Sequence, residues 1–154
     1  MKKLIFLFLF TIFVVNLYAQ DDWQTTIKIR AKNIDSRVIF GQNKDATDSF
    51  DTAYDVSFFG SGVLSAYFIG DGGNLFKDIR TIDKESFWTL RIELKDSSIP
   101  KVELFWNLDN LPLNYELFIQ DPLDNVRLNM KEHKYYSFPN TGVRYIDIEV
   151  KRIN

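Results

Sequence analysis

The chain has no cysteine, one histidine, four prolines and two methionines in 154 residues. Without cysteine there is no disulfide, no thiolate metal site and no cysteine nucleophile. Stability has to come from packing alone. The single histidine, His133, sits between Glu132 and Lys134 in a polar stretch. It has no oriented nucleophile beside it in the sequence beyond Ser137, which is what base catalysis would need. A surplus of charge of one sign is also missing. The formal net charge is -2 and the pI is about 5.4, so the clustered basic surface of a nucleic-acid binder is not expected. Past the first twenty residues no capped segment of 3.6-residue period is found, and helices are not expected there. No catalytic residue is assigned, and the chain is read as not an enzyme.

Aromatic residues, by contrast, make up 16% of the chain, with 14 Phe and 7 Tyr, and 45% of it is hydrophobic. That suits one domain with a substantial core.

Lys2 and Lys3 precede an apolar run over 4–17, and Leu17-Tyr18-Ala19 places a small residue at the end of it. The pattern is that of a Sec-type signal peptide over 1–19, cleaved to leave Gln20 first. The run is short for a membrane span, which needs about 20 apolar residues. No stable span is therefore expected after cleavage, and the domain proper is 20–154. No cysteine follows the cleavage point, so no lipid anchor is expected.

Beyond it, two-residue periodicity dominates. Trp23, Thr25, Ile27 and Ile29 alternate with polar residues, and 37–41 forms a second apolar run. In 86–121, three such runs follow one another: Trp88, Leu90, Ile92, Leu94; then Val102, Leu104, Trp106; then Tyr115, Leu117, Ile119. Side chains alternate between the faces of a strand, so each run has one buried face. The three are read as an antiparallel meander around which the rest packs. Val126, Leu128 and Met130, the short run 135–138, and Ile146, Ile148 and Val150 add further strands. Short strands between turns predict an all-β, antiparallel β-sandwich, Ig-like or jelly-roll-like. Residues 75–82 are irregular and are placed as extended chain crossing an edge or end of it.

Residues 42–55 break the alternation. Asp45, Asp48, Asp51 and Asp55 accompany Asn43 and a single Lys44. Carboxylates and amides on a flexible loop are the ligands calcium takes, and Asn43, Asp45, Asp48, Asp51 and Asp55 are the candidate set. Their spacing is not that of an EF-hand. Solvated acids and Asx turns are the favoured alternative, with Arg80 the cation expected to come over the loop. Otherwise no cofactor is expected.

Among the aromatics, Trp23, Trp88 and Trp106 fall on the buried phase. Tyr54, Phe58 and Phe59 lie in loops. Phe105 and Phe118 fall on the wet phase of what read as neighbouring strands. These five are the candidate binding residues, because exposed aromatic patches mark contact sites. For Phe105 and Phe118, cover by 42–59 or 75–82 is the favoured alternative.

Taken together, Ile39-Phe40-Gly41, 45–51 with Tyr54-Asp55, Lys77-Asp78-Ile79-Arg80, Trp88-Thr89-Leu90, and Leu104-Phe105-Trp106 with Leu111-Pro112 look like a recurrent module. It resembles the Ig-like β-sandwich domains of large exported proteins from bacteria with type IX secretion. The resemblance implies an accessory module without known chemistry. No sorting segment follows Asn154, so periplasmic residence is expected over release.

The expected function is that of a non-catalytic, exported β-sandwich, periplasmic or secreted. It would act as a binding or structural module of the cell envelope, with an envelope protein or glycan as partner. The alternatives are a carbohydrate-binding module using loop aromatics and a small envelope hydrolase using paired carboxylates.

Overall fold

The computed structural model describes residues 22–153; the leader expected over 1–19 lies outside them. The described chain is all strand and turn. In order it forms β1 (Trp23–Ala31), β2 (Ile34–Gln42), β3 (Val56–Ser57), β4 (Leu64–Gly70), β5 (Gly73–Arg80), β6 (Glu85–Leu94), β7 (Lys101–Trp106), β8 (Tyr115–Asp121), β9 (Val126–Asn129), β10 (Tyr135–Pro139) and β11 (Val143–Arg152). Among these residues no helix is long and apolar enough to cross a membrane.

The all-β expectation holds. In place of two separate antiparallel sheets there is one hydrogen-bonded mixed sheet, curled into a half-barrel. Its order is β10-β7-β1-β2-β5-β4-β6-β11-β8-β9, with β3 added beside β5. β2 and β5 run parallel; the other pairs are antiparallel. The meander expected over 86–121 is not formed. β6 lies between β4 and β11, β7 between β1 and β10, and β8 between β11 and β9. Alternation states which face of a strand is buried; it carries nothing about which strand lies beside it.

The faces themselves are as the alternation predicts. Ile27, Ile29, Trp88, Leu90, Leu104, Leu117, Ile119, Ile146 and Ile148 are all completely buried on the concave side. The wall of β1, β7 and β10 faces the wall of β6, β11, β8 and β9. Trp23 packs against Trp88 and Tyr115 with ring centroids at 6.4 and 5.8 Å. Trp106 Nε1 donates to the carbonyls of Met130 and His133, both at 2.8 Å. Each large apolar side chain so buried contributes roughly 1.5–3 kcal/mol relative to exposure.

The two end regions of the sheet meet at an ionic cluster. Asp121 on β8 is fully buried. It accepts hydrogen bonds from Tyr136 on β10 and Arg144 on β11, both at 2.8 Å, and from the backbone of Leu123 at 3.0 Å. Arg144 also pairs with Asp124 and lies over the Phe138 ring. Every charge here has a partner, as burial requires.

β5 is the element the sequence hid. Its first part, 73–75, pairs with β4, and its second, 77–80, with β2. The change of partner turns Asp78 and Arg80 inward beside Phe40 and Gln42. Arg80 pairs with Asp78 at 3.0 Å, donates to the carbonyl of Phe87, and covers the Trp88 ring. Inward charges interrupt the alternation, which is why 75–82 reads as irregular.

Candidate functional site

An open cleft of about 1100 Å³ lies at one end of the half-barrel. It lies where β1 begins and β2 and β5 end, between loop 43–55 and the β7–β8 connection, 107–114.

The floor is rigid. Trp23, Gln42 and Ile79 line it and are buried. Trp23 Nε1 donates to Gln42 Oε1 at 3.2 Å, and Gln42 Nε2 donates to Ser86 Oγ at 2.9 Å and Thr81 O at 3.2 Å. Gly41 lets β1 and β2 approach here. A Cβ on it would lie 2.1 Å from the Trp23 carbonyl oxygen, closer than any side chain tolerates.

One wall is the acidic loop, and its acids hold the loop's own backbone. Asn43 Oδ1 accepts from Asp45 N, Asp51 Oδ1 from Ala53 N, and Asp22 Oδ1 from Lys44 N, each at 2.9 Å. These are the Asx-type bonds such residues form in turns. Asp55 is the anchor. Its buried carboxylate accepts from Ile79 N at 2.9 Å and Asp51 N at 2.7 Å, tying the loop to β5. Burial raises its pKa above the ordinary carboxylate value, the two backbone donors oppose this, and the charge of Asp78 adds to it. This wall presents Asn43, Ala53 and Tyr54 to the cleft.

The opposite wall, 107–114, is stitched in the same way. Asn107 Oδ1 accepts from Asp109 N, and Asn107 Nδ2 donates to Asp109 Oδ2, both at 2.8 Å. Thr25 Oγ1 on β1 holds the Asn107 carbonyl at 2.7 Å. The wall presents Asp109, Asn110, Leu111, Pro112 and Asn114, with Leu113 at the rim 94% exposed. Asp22, Gln24 and Lys77 complete the lining, which among the described residues contains no serine, threonine or histidine.

The candidate calcium ligands Asn43, Asp45, Asp48, Asp51 and Asp55 are not gathered into one shell. Among the described residues no group of three or more His, Asp or Glu side chains is placed to hold a metal ion. Arg80 lines a second, smaller concavity together with Asp48, but its ion pair is with Asp78 at 3.0 Å and not with an acid of the loop. The bent path of β5 aims it inward instead.

The candidate aromatics are dispersed. Tyr54 alone faces the cleft. Phe58 packs against Tyr67 of β4 in a tilted pair with ring centroids 4.9 Å apart, and Phe59 is 93% exposed in the loop beyond. Phe105 and Phe118 lie on opposite arms of the sheet, on β7 and β8, and form no joint patch. Neither is covered by 42–59 or 75–82 as expected. Phe105 stacks on Tyr135 under Arg30, and Phe118 lies under Arg127 at 3.5 Å. Guanidinium groups supply the cover, by cation–π attraction.

Asp22, Gln24, Asp109, Asn110 and Asn114 are cleft residues that periodicity does not reveal. The available signal is compositional: three asparagines and an aspartate around Pro112 in one short connection, more polar capacity than a simple turn needs.

Compared with known proteins, the chain matches no family model, no curated protein and no solved structure.

Proposed function

We propose that this chain is a non-catalytic binding module of the bacterial cell envelope, exported to the periplasm or beyond, and that the cleft between loop 43–55 and 107–114 is its ligand seat. The observation that carries this is the construction of the cleft. Both walls are loops held by their own side-chain-to-backbone bonds, over a floor fixed by Trp23 and Gln42. Pre-organised walls lower the ordering cost of binding. Asp22 and Asp109 are the carboxylates in the lining, and each has an oxygen engaged in holding a loop. That favours binding over a hydrolase built on a carboxylate pair. Export is supported by the leader pattern of 1–19, and kinship with Ig-like accessory modules by the motifs that carry the resemblance. Two opposed walls sharing one core do for the half-barrel what two sheets do for a sandwich.

The test is co-sedimentation of the mature domain with envelope fractions, wild type against Asn110→Ala/Asn114→Ala. The proposal expects saturable binding by the wild type and its loss in the variant. Equal binding by both would place the contact elsewhere.

A further inference from the structure

Resting on the cleft as the ligand seat, we infer that its ligand class is a neutral glycan, bound as an oligosaccharide stretch. The first observation is the hydrogen-bonding capacity left over. The side-chain amides of Gln24, Asn110 and Asn114 take no hydrogen-bond partner among the described residues. Each amide offers an acceptor and two donors side by side. Adjacent sugar hydroxyls, each both donor and acceptor, match that pattern.

The second observation is charge. Asp22 and Asp109 face the cleft against one cation, Lys77. Phosphate or carboxylate ligands would meet net repulsion. The third is the limited strand edge. A peptide binding by main-chain pairing needs a free edge; β2 beneath the cleft is paired on both sides over 39–42, with β1 and β5, and the side of β1 left unpaired over 23–26 is flanked by Asn107, held there by Thr25 Oγ1. The fourth is apolar surface on both walls. Tyr54 stands on one wall and Leu111 and Pro112 on the other, suited to the C–H faces of pyranose rings. The volume of about 1100 Å³ is just above the ~300–1,000 Å³ range of small-molecule pockets, which favours several sugar units over one.

The experiment is an NMR titration of the ¹⁵N-labelled mature domain with neutral gluco-, xylo-, manno- and N-acetylchito-oligosaccharides, with oligogalacturonate as the anionic comparison. The expected result is binding by at least one neutral oligosaccharide, with shifts of the Asn110 and Asn114 side-chain amides. Asn110→Ala should weaken binding about tenfold, the loss expected when one ligand hydrogen bond is removed. Tyr54→Phe should retain binding and Tyr54→Ala lose it. No neutral oligosaccharide binding at millimolar concentration, or preference for the anionic one, overturns the glycan class. If envelope material still binds through Asn110 and Asn114 in that case, the cleft stands and only the ligand class falls. Sugar-induced shifts confined to residues outside the cleft overturn the cleft itself.

Discussion

The Tyr136 hydroxyl donates to Asp121 Oδ2 at 2.8 Å, joining an edge strand, β10, to β8 across the core of the half-barrel. Burial, reinforced by this bond to Asp121, raises the phenol to about 12, against about 10 in an unfolded chain. A pKa raised in the folded state contributes stability that is complete below pH 10 and is lost as pH climbs through about 12. The difference amounts to roughly 2–3 kcal/mol. Urea denaturation at stepped alkaline pH should show this decline in the wild type. Tyr136→Phe should flatten it and cost about 0.5–1.5 kcal/mol at neutral pH, through loss of one of the hydrogen bonds to Asp121 Oδ2, which keeps Arg144. An unchanged alkaline profile would show that other groups control it.

Arg144 is the counter-charge of Asp121 in the same cluster. Arg144→Met leaves a buried carboxylate without its cation and should cost about 3–5 kcal/mol. Adding Asp121→Asn should recover part of that loss, because the amide oxygen keeps the backbone bond from Leu123 N while its NH2 donates to the Tyr136 hydroxyl oxygen, with no charge to bury. Equilibrium denaturation of the two variants measures both effects. A double variant less stable than the single one would contradict this account.

Trp106 fills the core with its ring and binds the 130–134 connection through Nε1. Trp106→Ala should cost about 3–5 kcal/mol. Trp106→Phe retains most of the apolar contact and loses both hydrogen bonds. Hydrogen exchange should then rise selectively over 130–134, with β1 and β6 unaffected. A uniform rise would show that the ring, not the hydrogen bonds, orders that connection.

Strand positions were legible in the sequence because one face of the sheet is dry. Trp88, Leu90, Ile92 and Leu94 mark β6 without ambiguity. Strand order was not legible, because nothing in those residues distinguishes the true neighbours of β6, which are β4 and β11, from β7, the next strand in the chain. β5 was missed because Asp78 and Arg80 occupy inward positions as a mutually neutralised pair beside Trp88. Of the cleft, only its loop aromatic Tyr54 and the acidic wall were visible. The opposite wall, with Asn110 and Asn114, belongs to a connection whose neighbours depend on that hidden strand order.

Asp55 and the turn bonds of the acidic loop give a prediction on calcium. With Asn43, Asp51 and Asp55 engaged by backbone N–H groups, thermal midpoints in calcium and in chelator should coincide. A cation bound by the folded state alone would raise the midpoint with concentration. Asp55→Ala should release the loop from β5, read as faster proteolytic cleavage within 43–55. A calcium-dependent rise abolished by Asp51→Asn would restore the loop as a metal site.

The order of the sheet also governs how the molecule is made. Apart from the β1–β2 and β4–β5 hairpins and the β8–β9 pair, strands find partners far along the chain: Ile27 with Trp106, and Ile92 with Arg144. Such non-local pairings place a chain among slow folders, in the millisecond-to-second range. β1 must wait until β7 has emerged, and β6 until β11, near the C-terminus, is complete. Until then β1 has β2 alone and β6 has β4 alone beside it, and the core they will share is open to water. Productive collapse is thereby delayed until nearly the whole chain is present. The export proposed above would then meet a chain that has not yet folded.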